Sequence, residues 1–151
     1  RFQQGPIAQV GARQFQQSGP QEVQDAVMDL DKLESLCEWL KGRATERGRP
    51  RIAQRADDLS QVAHLEKNLF LRESPFAEPI GQAVQQTIQQ GVQEFQQHAA
   101  DPEVQDALSQ AQQTLSSISQ AIAQVQQTGQ QVGQQGAIGQ QSAVSQPPIQ
   151  Q

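Results

Sequence analysis

The stretch "DPEVQDALSQAQQTLSSISQAIAQV", Asp101 to Val125, decides the fold. Its apolar residues Val104, Leu108, Ala111, Leu115, Ile118, Ile122 and Val125 step alternately by four and three. That spacing puts them along one seam of a helix that packs on another helix. Asp101 supplies an N-cap and Pro102 suits the first turn, where its missing N–H costs nothing. The helix is expected to end near Gln127.

Reading outward from this helix, the chain contains a near-copy of its start. "FQQHAADPEVQDAL" from Phe95 parallels "FQQSGPQEVQDAV" from Phe15, with one residue inserted before Pro102. Gly11 then pairs with Gly91, and "EVQDA" is shared by Glu22–Ala26 and Glu103–Ala107. Either a docking unit has been duplicated, or a well-capped helix start has arisen twice. Two units are too few for a solenoid, which needs about three. Both readings point to architecture, with quasi-equivalent helix pairs as the expected consequence.

After the first copy comes a second strong helix, "SGPQEVQDAVMDLDKLESLCEWLKG". Ser18 is its expected N-cap, with Gln21 three residues on, Pro20 in the first turn and Gly42 as terminator. Val23, Ala26, Leu30, Leu33, Cys37 and Leu40 form its seam. Val27, Leu36 and Trp39 widen that seam toward more than one neighbour. A further helix is expected over 51–72, carrying Ile52, Leu59, Val62, Leu65, Leu69 and Phe70, and joined to the preceding one as an antiparallel hairpin. Pro75 and Pro79 interrupt, and another helix is expected from Ile80 to about Ala99. Alternating strand patterns with hairpin dipeptides are absent. The reading is an all-α, elongated protein: a short N-terminal helical arm (1–17), a charged helical hairpin (18–73), a Gln-rich helical pair (74–127) and a disordered Gln/Gly-rich tail (128–151).

Composition sharpens this. Hydrophobic residues are 35% and aromatics 4% of the 151 residues, with no tyrosine. So thin a core suits an elongated object, or one completed by partners. The net charge of -5 gives no reason to expect general nucleic-acid binding. No apolar run approaches the roughly 18 residues of a membrane span, so no membrane association is expected. A lone Cys37 offers no disulfide framework or cysteine zinc site and fits a reducing compartment. The chain opens at Arg1 with no signal-peptide pattern, which leaves a processed product or a fragment both open.

Charge and glutamine both divide the chain. All 11 Lys and Arg lie at or before Arg72, while the six acids after it face no base. From Gln82 to Gln151 there are 25 glutamines. The sharpest charged feature is "KGRATERGRPRIAQR", 41–55, in which Lys41, Arg43, Arg47, Arg49, Arg51 and Arg55 are opposed only by Glu46. Such a loop can grip an acidic protein surface or phosphate, or simply balance the acidic face of the preceding helix. The missing aromatic interleaving disfavours single-strand binding.

No residue pattern identifies a reaction, so no catalytic residue, cofactor site, metal site or small-molecule substrate is assigned. His64 and His98 lack ligand-spaced companions beyond single carboxylates such as Asp101. Asp57-Asp58 reads as an exposed helical pair, Cys37 as a small buried hydrophobe and Trp39 as a packing anchor. Phosphate-cradling and nucleophile-elbow motifs are absent.

Glutamine forms helix well and carries no charge, so helices coated with it do not repel copies of themselves. Gly81 to Gln97, Ala107 to Gln127 and the tail resemble the Gln/Ala-rich C-terminal helical regions of tailed-bacteriophage portal proteins and internal or scaffold-type virion proteins. That resemblance implies a ring-forming or capsid-interior structural role, with no active site to carry over. The expected function is therefore a non-enzymatic structural or assembly protein present in several copies, with homo-oligomer contacts and other proteins of the assembly as partners. Leu30, Leu33, Leu40, Leu108, Leu115 and Ile122 are the expected helix-interface residues. Arg43, Arg47, Arg49, Arg51 and Arg55 are the candidate acidic-partner or phosphate contacts. Two alternatives are a packaging or scaffold factor touching nucleic acid through 41–55, and an adaptor recruiting partners through its tail.

Overall fold

The structure is a computed structural model that describes residues 20–141, with side chains described over 20–127. It contains four helices: α1 (Gln21–Glu46), α2 (Pro50–Leu71), α3 (Ala77–Gln96) and α4 (Pro102–Gln141). No strand occurs among the described residues. The expected 1–17 arm lies outside them, as do Ser18 and the opening "FQQSG" of the first repeat copy.

Cross-helix bonds fix the topology. Between α1 and α2, Lys41 meets Asp57, Glu34 meets His64 and Asp31 meets Lys67. As one number falls the other rises, so the pair is antiparallel. The same inverse register links Arg55 to Glu94 and Arg49 to His98 (α2 with α3). It recurs for Gln85 with Ser119 and Gln126 with Glu78 (α3 with α4). Arg43 with Glu103 and Asp29 with Ser117 close the ring between α1 and α4. The result is an up-down-up-down four-helix bundle with short connections.

Every residue of the expected α1 seam is buried, and Ala44 extends it. Leu30, Leu33, Leu40 and Cys37 are sealed from solvent beside Leu59, Ile88, Phe95 and Ile118. The repeat "EVQDA" forms the first turn of both α1 and α4 and buries the same two residues in each, Val23 with Ala26 and Val104 with Ala107. Because α1 and α4 run antiparallel, the two copies sit at opposite ends of the bundle. Whether quasi-equivalent helix pairs exist turns on residues outside the described range.

Several boundaries differ from expectation. Gly42 does not stop α1. The helix runs on to Glu46, and Gly48 ends it at φ 68°, with its N–H on the Thr45 carbonyl (3.2 Å) and that of Arg49 on the Ala44 carbonyl (2.8 Å). This double bond pattern needs a left-handed residue, which glycine supplies without a Cβ clash. The arginine segment is therefore mostly helix, and only Arg47 to Arg49 lie between α1 and α2. α3 starts earlier than expected and holds Pro79 in its first turn, where proline is tolerated. Asp101 caps α4 as expected, its carboxylate accepting the Glu103 N–H at 3.0 Å.

The helical backbone of α4 runs to Gln141, past the end expected near Gln127. Glutamine and alanine favour helix, and no proline occurs between Pro102 and Pro147. Residues 142–151 lie outside the described range.

One expectation about packing changes. Trp39 is not an anchor: it is 47% exposed and, with Met28 at 56%, lies on the side of α1 opposite the seam. The two are 11 residues apart, close to three turns, so both point away from the core. On α4, Val104, Ala111, Ile118 and Ile122 of the expected seam are buried, and Leu108, Leu115 and Val125 pack half-buried against the same core. Ala107, Gln110, Thr114, Ser117 and Ala121 are buried beside them.

Candidate functional site

The five candidate arginines gather at one end of the bundle, where the α1–α2 turn meets the α3–α4 corner. Arg43 Nε donates to Glu103 at 2.8 Å and its Nη1 to Glu46 at 3.0 Å. Arg47 lies 3.2 Å from Glu103. Arg49 pairs with Asp101 and approaches His98 Nδ1 at 3.2 Å. Arg55 pairs with Glu94 and with Asp58 at 2.8 Å. The Glu103 backbone N–H, together with Arg49, holds the Asp101 carboxyl below the usual carboxylate range.

The acids that meet these arginines are thus mostly those of the base-free half of the chain. The charge division read from the sequence is an internal docking device. It does not balance the acidic face of α1, whose Asp31 and Glu34 are held by Lys67 of α2 at 3.0 and 2.7 Å. The signal was present in the sequence as excess base before Arg72 and excess acid after it; which acids the arginines choose depends on the antiparallel register.

Arg51 is the exception. It is exposed and stands at a shallow cleft of about 170 Å³ also lined by Ile52, Arg55, Glu94 and His98. The cleft holds one unpaired guanidinium and one carboxylate already bound to Arg55.

The remaining candidates are accounted for by neighbours. His64 bonds to Glu34 at 2.8 Å and lies 3.0 Å from Asn68. Asp57 holds Lys41. Burial pushes the Cys37 thiol up to about 12, so it stays protonated and a poor nucleophile at neutral pH. No group of three or more His, Cys, Asp or Glu among the described residues is arranged to hold a metal. No described helix is long and apolar enough to cross a membrane.

Two buried polar features went unread in the sequence. On the α1–α4 seam, Thr114 Oγ1 lies 3.2 Å from the Asp29 carbonyl, and Gln110 Nε2 donates to that carbonyl at 3.2 Å. Ser117 donates to the Asp29 carboxylate, and Gln113 reaches it at 3.2 Å. The second is Glu66 on α2. It is 0% exposed, and neither carboxyl oxygen has a hydrogen-bond partner. Single polar residues within helices normally face solvent, so neither feature carries a signal in the sequence.

The outer faces of the bundle differ in kind. α3 turns Gln82, Gln86, Gln89, Gln90, Gln93 and Gln96 to solvent. α4 exposes serines and glutamines, with no charged residue after Asp106. The α1–α2 side carries ion pairs along its length, Lys41 with Asp57 and Lys67 with Asp31 among them. Compared with known proteins, the chain matches no family model, no curated protein and no solved structure.

Proposed function

We propose that the protein is a non-enzymatic structural component that works as one of several copies in a larger assembly, of the portal- or capsid-associated kind found in bacteriophage virions. The observation that carries this reading is the uncharged Gln/Ser surface of α3 and α4. Like-charged coats repel identical copies, whereas amide and hydroxyl side chains donate and accept hydrogen bonds without that repulsion. The four internally paired arginines support it as well. They join the two halves of one chain and leave a surface on which the α3–α4 side is free of charge across most of its length.

The packaging or scaffold reading, in which 41–55 grips nucleic acid, requires those arginines to leave Glu94, Asp101 and Glu103, or Arg51 to act nearly alone. The adaptor reading rests on a tail that is partly outside the described residues. Light scattering across a concentration series tests the main proposal: a mass of several chains is expected, with melting that rises with concentration. A one-chain mass at every concentration would overturn it. Salt-sensitive DNA binding that vanishes in Arg47→Ala/Arg49→Ala would favour packaging instead.

A further inference from the structure

Glu66 stands in the interior of the bundle, on the face of α2 that meets α3. A Cβ placed on Gly81 of α3 would lie 2.5 Å from Glu66 Oε2, and 3.0 Å from Ile122 Cδ1 of α4. The carboxyl is therefore pressed against bare α3 backbone, in a notch that only glycine leaves open. We propose that Glu66 and Gly81 form an acid-set latch between α2 and α3: the bundle closes with Glu66 neutral, and loss of that proton drives the start of α3 away from α2.

Among the described residues no cation is placed to neutralise the charged form. On α1, Asp31 and Glu34 hold Lys67, and Asp29 is bound by α4 side chains. Cys37, the buried titratable group of α1, remains a neutral thiol. On α2, Lys67 and His64 turn toward α1, while Arg72 and Glu73 are exposed in the turn. On α3, Glu78 accepts from Gln126 at 2.7 Å, and no other charged residue occurs before Glu94. α4 carries none after Asp106.

The same inventory says where the bundle gives way. α1 and α2 are held by ion pairs along their length, and α1 and α4 by the Asp29 seam. The charged bonds between α2 and α3, led by Arg55 to Glu94, lie at the far end of that interface from Glu66.

Desolvation raises the Glu66 carboxyl from an ordinary 4.5 to about 8. Below 4.5 the group is neutral in both the folded and unfolded chain and has no effect on the balance. Between 4.5 and about 8 the unfolded chain has lost the proton while the folded one keeps it, so stability falls as pH rises. Above about 8 both are charged and the fall levels off. Asp101 has the opposite sign: its contribution is present above the ordinary carboxylate value and is lost as pH drops, outside this window.

The test is urea unfolding of the full chain and of Glu66→Gln from pH 4.5 to 9. The ratio of their unfolding constants should climb up to tenfold per pH unit through this window and then level off. His64 and His98 are common to both chains and cancel in that ratio. Amide exchange in Ala77–Val84, corrected for intrinsic rate, should accelerate with pH only in the parent chain. Parallel profiles for the two chains would overturn the latch. Direct carbon-13 titration of the Glu66 carboxyl covers the case in which Glu66→Gln does not fold. A midpoint near 8 is expected, and a midpoint near 4.5 would equally overturn the proposal.

Discussion

Two of the sites at which the bundle buries polar groups are treated in opposite ways. On the α1–α4 seam, the Asp29 carbonyl and carboxylate are surrounded by donors from Gln110, Gln113, Thr114 and Ser117, one or two helical turns apart. On the α2–α3 side, Glu66 has no partner at all. The first arrangement recovers in hydrogen bonds what it loses in hydration, and it fixes the register of two helices. The second recovers nothing and is tolerated only because the group can remain protonated. A satisfied polar seam makes a rigid joint, and an unsatisfied carboxyl makes a conditional one.

The change that most directly breaks this contrast is Glu66→Met. Removing the carboxyl while keeping the volume should stabilise the protein by roughly 2 to 4 kcal/mol at pH 7, since the charged unfolded form no longer draws the equilibrium. A shift of the urea midpoint to higher concentration, at unchanged slope, is the expected reading. Gly81→Ala works from the other wall. Its methyl group enters the space occupied by Glu66 Oε2, and overpacking of this kind costs about 1 to 3 kcal/mol. Combined with Glu66→Ala, which vacates that space, the cost of the added methyl should shrink, and a double-mutant cycle measures the difference.

On the satisfied side, Thr114→Val keeps the shape but removes the hydroxyl beside the Asp29 carbonyl. The expected loss is about 1 to 2 kcal/mol, a hydrogen bond together with part of the desolvation of its partner. It should be independent of pH through the window in which Glu66 titrates. Stability profiles of the two variants therefore separate the rigid joint from the conditional one.

Much of this molecule was legible in its sequence, because helices announce themselves through periodicity. The α1 seam from Val23 to Leu40 is buried residue for residue, and the Asp101 cap of α4 is present as read. Misreadings came where the choice is made by a neighbour. Trp39 reads as a packing anchor, yet it lies 47% exposed on the side of α1 away from the seam. Gly42 looked like a terminator because glycine usually ends helices. It is tolerated mid-helix with no heavy atom within 4 Å of where its Cβ would lie. The charge division was visible as a pattern, but its meaning required the fold to bring the α1–α2 turn against the α3–α4 corner. Glu66 was hidden for a similar reason: the Gly81 backbone it lies against belongs to α3.

The smallest effect tests a second contrast, between the two helix-ending turns. α1 ends at Gly48, φ 68°, and α2 ends with the same pair of backbone bonds around Glu73, φ 53°. There Glu73 N–H meets the Phe70 carbonyl at 3.1 Å and Ser74 N–H meets the Leu69 carbonyl at 2.9 Å. A residue with a Cβ pays about 1 kcal/mol for that left-handed conformation, and glycine does not. Glu73 is exposed, so replacing it removes no packing. Glu73→Gly should therefore stabilise the protein by up to about 1 kcal/mol, reduced by the greater freedom glycine gives the unfolded chain. The converse change, Gly48→Ala, should destabilise by a similar amount for the same reason, although nothing within 4 Å opposes the added methyl. Thermal melting of both variants tests the pair: opposite shifts of a few degrees are expected. A stabilised Gly48→Ala would show that chain entropy, and not the left-handed backbone, governs these turns.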